Sequence, residues 1–345
     1  MKLSIIIPCY NSAKTIRRCL DSIYALPLPE DCYEVIVVND GSVDETGSIV
    51  AEYGKAHDNL TLIRHLVNRN LGGARNTGIA ASKGECIAFV DSDDEVAPGL
   101  TDALNKMLEM QLDMVALHVE TVGEDGAILQ KNSFPYSSDS IVSGIQLQEK
   151  HPFRCIAVWG YLFRRLFLED VQYPFVEGNY FEDADYVLVH LYHVKRLSYC
   201  ESLSYRYHQT PGSISHSFSH KTSTGYLFLG SRLLSLFEMI GDRASPYALS
   251  VLERSYYSVN AGFRKMLKLP SVDRIRSVFN EIDSYHIRKH IRSSLFLRDR
   301  LSSWTQLCLR HRFLATTIAG LVVSVPSLQR LLRRLRNRIC YANSK

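Results

Sequence analysis

Four short, nearly uninterrupted apolar runs punctuate the first ninety or so residues of this 345-residue chain. They are Leu3-Ser4-Ile5-Ile6-Ile7, Glu34-Val35-Ile36-Val37-Val38, Leu60-Thr61-Leu62-Ile63 and Cys86-Ile87-Ala88-Phe89-Val90. Runs of this length without polar alternation predict strands buried on both faces, with Pro8 stopping the first. Between them, Ile16, Leu20 and Ile23, and then Ile49, Val50 and Tyr53, recur at helical spacing. Ser42 and Glu45 have the spacing of a capping box for the second helix, and Gly73–Ala81 reads as a third. Strands alternating with helices predict an α/β, doubly wound, mainly parallel sheet with right-handed crossovers.

Each strand gives way to a polar cluster: Tyr10-Asn11, Asn39-Asp40, and Asp91-Ser92-Asp93-Asp94. In an open α/β sheet these ends share one edge, where ligands bind. Three carboxylates within four residues repel one another unless a hard cation or a hydrogen-bond network compensates them. Mg²⁺ or Mn²⁺, held by one or two carboxylates and by substrate phosphates, is one reading of Asp91 and Asp93. The other is an acidic loop in which Asp94 caps a helix starting near Pro98. No Gly-x-Gly-x-x-Gly follows the first strand, which argues against a dinucleotide site. Asp40 is a candidate acceptor for a base N–H, or else a turn residue before Gly41. Arg75, placed on the same crevice, is a candidate phosphate partner, or else a structural arginine.

Further along, Asp113–Thr121 reads as a strand, Gly123–Gly126 as a turn, and Val187, Leu188 and Leu191 as a short helix behind Glu182-Asp183. After about Ser217 the periodicity is helical, over Tyr226–Ile240, Pro246–Leu267 and Ile287–Arg298. Domains are therefore expected at 1–216 and 217–345.

Composition narrows the class. With 46% hydrophobic and 22% charged residues the chain is globular. Its net charge of +4 hides an asymmetry: residues 286–345 carry 13 Lys and Arg against the single acid Asp299, leaving 27 basic and 35 acidic residues for 1–285. The acidic body argues against a nucleic-acid partner. The basic tail suggests an anionic surface. After Pro326, Leu328, Leu331, Leu332, Leu335 and Ile339 form one helical stripe, with Arg330, Arg333, Arg334, Arg336 and Arg338 around the rest. That pattern fits a helix lying on an anionic membrane, or one packed on protein. Phe313–Val325 is too short to span a bilayer, and the N-terminal apolar run is too short for a signal-peptide core. The eight cysteines show no CxxC pair and read as reduced core residues of a cytosolic protein.

SIIIPCYN, VIVVNDGSVDET, NLGGARNTGIAASKGE and FVDSDD, in this order, resemble family 2 glycosyltransferases of the GT-A fold. The resemblance is strong over about 1–110 (the nucleotide-sugar half) and looser over 111–216 (the acceptor half). It implies that Asp91 and Asp93 hold a divalent metal. Pro8, Tyr10, Asn11, Asp40, Arg75, Asp91, Ser92 and His208 are then the donor-binding set, with His208 touching the metal or diphosphate or else a packed histidine. Asn39 stands where a second Asp is common. Trp159–Arg165 resembles the acceptor-side strand, and Phe181-Glu182-Asp183-Ala184 resembles the motif whose Asp is the usual base. Asp183 is then the catalytic base with Glu182 beside it, and Tyr205–His208 with Gly212–Ser215 the closing motif. Independently, inverting transfer needs a carboxylate to take the acceptor hydroxyl's proton.

The resulting expectation is a metal-dependent inverting transferase. It would use a UDP-linked nucleotide-sugar and a glycan or lipid-linked acceptor, peripherally at the inner face of the cell membrane. Two rivals remain open: a nucleotidyltransferase, and a silent sugar-nucleotide or membrane-binding scaffold. Pro8-Cys9-Tyr10-Asn11 lacks the glycines and basic residue of the phosphate loop that the first would need.

Overall fold

The structure, a computed structural model, describes residues 1–132, 134–151, 156–209, 219–293, 301–311 and 315–316. The chain divides into two compact units, Met1–Ser213 and Ile214–Lys345.

The first unit is built on one sheet. Its elements are β1 (Leu3–Cys9), α1 (Ile16–Tyr24), β2 (Tyr33–Asn39), α2 (Thr46–Tyr53), β3 (Leu60–Arg64), α3 (Asn70–Ala81) and β4 (Cys86–Phe89). These are followed by β5 (Glu95–Val96), α4 (Gly99–Met110), β6 (Met114–Val122), β7 (Ile128–Lys131), α5 (Gly144–Lys150), β8 (Tyr161–Arg164), α6 (Arg165–Val171), α7 (Glu182–His193) and β9 (Leu197–His208). The strand order is β3-β2-β1-β4-β8-β6-β9-β5, with β7 on β6. Strands β3-β2-β1-β4 are parallel, as the alternation predicted. Beyond β4 the sheet is mixed, because β8 runs antiparallel to β4 and β6 while β9 runs parallel to β6.

The apolar runs are continuous because both faces are covered. Ile5, Ile7, Val35 and Val37 enter one core with Ile16, Leu20 and Leu104. Ile6, Ile87 and Phe89 enter the opposite one with Phe163, Tyr186 and Leu191. Pro8 does not stop β1; it pairs with Val38 inside the strand. The Ile6 carbonyl accepts from Val90, so Pro8, two residues on, turns its nitrogen to that same side, beyond the end of β4. No ladder bond is lost there.

The Ser42–Glu45 box is also absent. The N-cap position of α2 is Glu45, without a side-chain cap, and Asp44 just before it accepts from Thr46 N at 3.0 Å and from Ala13 N at 3.0 Å. Ser42 Oγ is turned to Asn11 N, which ties the loop after β1 to the loop after β2.

In the second unit α8 (His220–Met239), α9 (Pro246–Met266) and α11 (Ile287–Ser293) are helical, as the periodicity required, while α10 (Val272–Ser284) and α12 (Ser303–Arg310) were not anticipated. Helices α8 and α9 pack closely at Gly230, where any Cβ would lie 2.6 Å from Val259 Cγ2. Gly212–Ser215, most of Phe313–Val325 and the whole Leu328–Ile339 stripe lie outside the described residues. Among the described residues no helix is long and apolar enough to cross a membrane.

Candidate active site

The C-terminal edge of β1, β2 and β4 carries the polar clusters, as expected of a parallel sheet. Tyr10 is half exposed there. Asn11, at φ +51°, accepts from Val43 N through its side chain at 3.0 Å. Asp40 is buried, not open. One of its oxygens takes the His65 ring (Nδ1, 2.6 Å) and the Arg69 N–H (2.9 Å). Asn39 accepts from Ser42 N, as a turn residue does.

After β4, Asp91, Ser92 and Asp93 are partly exposed and Asp94 is fully buried. Ser92 Oγ lies 2.7 Å from Ser12 Oγ, and Arg18 on α1 reaches the Asp93 carbonyl. Asp94 does not cap α4, whose first turn has no side-chain cap. Its two oxygens accept from Tyr205 OH and from His208 N, each at 2.7 Å. The His208 ring is turned to Glu95 through Nε2.

Arg75 does not line the crevice as an open cation. It is 1% exposed, donating to Asp91 Oδ1 at 2.8 Å and to Glu182 Oε1 at 2.5 Å. The sequence places its two partners far apart, and α3 brings them together. Residues 175–178 run against α3: Asn76 and Phe175 exchange side-chain and backbone bonds at 2.9 Å, and Arg69 forks onto Glu177. A Cβ on Gly72 would lie 2.2 Å from the Val176 carbonyl, so only glycine allows this approach. Phe181, left-handed at φ +68°, then starts α7 with Glu182 and Asp183 in its first turn. There the helix N-terminus favours negative charge.

Burial pushes the Glu182 carboxyl up to about 7; Arg75 opposes the shift and Asp183 adds to it. Asp183 is also raised, chiefly by burial, against Arg75 and with Asp91. Burial by itself would lower the Arg75 pKa, but the charges of Asp91, Glu182 and Asp183 hold it above its usual value. Asp91, Arg75, Glu182 and Asp183 thus form one electrostatic unit. His65, Arg69, Gly72, Asn76 and Glu177 support the site without a role of their own having been assigned from the sequence, and Trp159 and Tyr205, expected in the acceptor-side strand and the closing motif, pack beneath it.

Among the described residues no three acidic, His or Cys groups form a ready cation cage. The donor set still suits a divalent cation. Asp91 and Asp93 supply hard oxygens at a partly exposed sheet edge, and Mg²⁺ or Mn²⁺ in such sites is completed by water and substrate phosphate.

Residues 4–171 match the sequence model of Glycosyl transferase family 2. Those residues belong to glycosyltransferase family 2. The match of this family 2 domain runs from β1 to the end of α6. The uncharacterized glycosyltransferase EpsJ of Bacillus subtilis is 33% identical over 220 residues, covering 61% of this chain and 62% of EpsJ. The succinoglycan biosynthesis protein ExoO of Rhizobium meliloti is 33% identical over 225 residues, 62% of each. The chain therefore spans under two thirds of the length of these relatives. Staphylococcus aureus TarS residues 1–349, solved with UDP-GlcNAc, superpose with a TM-score of 0.67 at 22% identity, covering 94% of this chain and 91% of that one. The shared architecture is the GT-A fold.

Proposed function

We propose that the family 2 domain transfers a sugar, with inversion, from a UDP-linked nucleotide-sugar to a hydroxyl of a glycan or lipid-linked acceptor. The observation that carries this reading is the Arg75 bridge, which joins Asp91 of the donor edge to the helix bearing Asp183. Asp183 takes the acceptor hydroxyl's proton as oxygen attacks the anomeric carbon opposite the diphosphate. Glu182, locked to Arg75, orients the start of α7 so that Asp183 points at that oxygen. Asp91 and Asp93 would hold Mg²⁺ or Mn²⁺, whose charge offsets the negative charge developing on the leaving diphosphate.

In this reading Pro8, Tyr10, Asn11 and Asp40, at the ends of β1 and β2, serve the nucleotide base, and Ser92 and His208 serve the diphosphate. The UDP-GlcNAc complex of TarS supports the UDP assignment. A Pyrobaculum calidifontis mannosyltransferase of the same fold, solved with GDP-Man and Mn²⁺, supports the cation (TM-score 0.54, 18% identity). The ExoO relative and the Arg-rich C-terminal stripe support work on a cell-surface glycan at the cytoplasmic face of a membrane.

The test is a panel of nucleotide-sugars with Mn²⁺, reading which diphosphate is released, together with calorimetric titration of UDP and Mn²⁺ into Asp93→Ala. UDP release by the wild type, and loss of cation-dependent UDP binding in the folded variant, are expected. Unchanged binding in Asp93→Ala would return the acidic cluster to a structural role.

A further inference from the structure

We infer that Tyr205 and Asp94 are positioning residues for the cation-binding carboxylates: a buried phenol–carboxylate brace that sets the 91–94 turn from beneath. The inference rests on the donor-site reading above.

Tyr205 OH donates to Asp94 Oδ2 at 2.7 Å and accepts from Asp91 N at 3.1 Å, so one hydroxyl grips both ends of the turn. The turn closes on itself through Asp94 N and the Asp91 carbonyl at 3.0 Å. The other Asp94 oxygen accepts from His208 N, so both oxygens of a fully buried carboxylate are satisfied. The phenol is itself held in place, since Trp159 stacks on Tyr205 at 5.0 Å and 4°, and on Tyr207 at 5.3 Å and 13°. Strand β5 then pairs with β9 at Val96 and Tyr205, extending the brace into the sheet.

The three acids of the cluster therefore divide the work. Asp94 points inward and is spent on hydrogen bonds, while Asp91 and Asp93 stay partly exposed at the crevice. The partners lie 111 and 114 positions away, on the strand that ends at His208. A cation at Asp91 and Asp93 needs their separation held to a few tenths of an ångström, and outer-shell groups of this kind supply that constraint.

Tyr205→Phe tests the brace, because it removes the hydroxyl and keeps the ring stacked on Trp159. Mn²⁺ affinity in saturating UDP, read from the electron paramagnetic resonance signal of free Mn²⁺, should fall about 10–100-fold. UDP affinity without metal and the far-ultraviolet circular dichroism should stay at wild-type values. Asp94→Asn keeps the acceptor for His208 N and loses the one for Tyr205; it should weaken Mn²⁺ in the same direction and decides the matter if Tyr205→Phe misfolds. A folded Tyr205→Phe with wild-type Mn²⁺ affinity overturns the brace, as does an equal fall in metal-free UDP affinity. A wild-type protein that takes up no Mn²⁺ with UDP overturns the donor-site reading and the brace with it, whereas wild-type uptake matched by the variants overturns the brace alone.

Discussion

Arg75 and Glu182, 107 positions apart, form a buried ion pair of 2.5 Å, and the second arm of the same guanidinium holds Asp91. Both partners of the pair are nearly devoid of solvent contact, at 2% and 3% side-chain exposure. One side chain thus joins the end of β4 to the start of α7. Its position over the Phe175 ring, 5.5 Å from the centroid, ties it to the segment that leads into α7.

Removing one partner of a buried ion pair leaves the other uncompensated, a loss of about 3–5 kcal/mol. Arg75→Met should lower the unfolding free energy of the first unit by that amount in urea. Arg75→Lys, a point charge that cannot fork, should fold better and still lose most transfer. A destabilisation under about 1 kcal/mol for Arg75→Met would show that Glu182 finds another partner.

Asp183→Asn keeps the shape of the side chain and removes the proton acceptor. Transfer should fall roughly 10²–10⁴-fold while calorimetric UDP–Mn²⁺ binding persists. Glu182→Gln should cost less. Full transfer by Asp183→Asn would remove Asp183 as base, and loss of donor binding would make it structural.

The raised carboxyls give a pH signature. Glu182 binds its proton more tightly folded than unfolded, from an ordinary 4.5 to about 7. Between those values the native state holds more protons, so stability falls as pH rises through the window and levels off above it. Urea unfolding from pH 4.5 to 8 should show that decline in the wild type and a flatter profile in Glu182→Gln. Because Asp183 is raised as well, the acid limb of the transfer rate should sit above the usual aspartate range. An identical stability slope in both proteins would assign the pH dependence to other groups.

For the C-terminal stripe, deleting residues 313–345 should release the protein from anionic liposomes. Each basic residue near such a surface contributes about 1 kcal/mol, and the binding should weaken with salt. Equal co-sedimentation of full-length and truncated protein at every salt concentration would instead assign the stripe to packing on protein.

The strands β1–β4 and their helices were legible because each strand is covered on both faces, which leaves an apolar run that no loop would carry. The placement of Asp91 and Asp93 just past β4, and of Asp183 in the first turn of α7, was legible because an apolar run stops or starts beside each of them. Pro8 inside β1, the absence of the expected capping box at α2, and the mixed half of the sheet were decided by which neighbour lies alongside. The same holds for the site. Asp40 meets His65 and Arg69, Asp94 meets Tyr205, and Arg75 is sealed between Asp91 and Glu182. Sequence pattern reports only local periodicity and residue type. Whether a charged side chain ends in solvent or in a buried pair depends on groups from sixteen to over a hundred positions away, and only the folded chain brings those within hydrogen-bond reach.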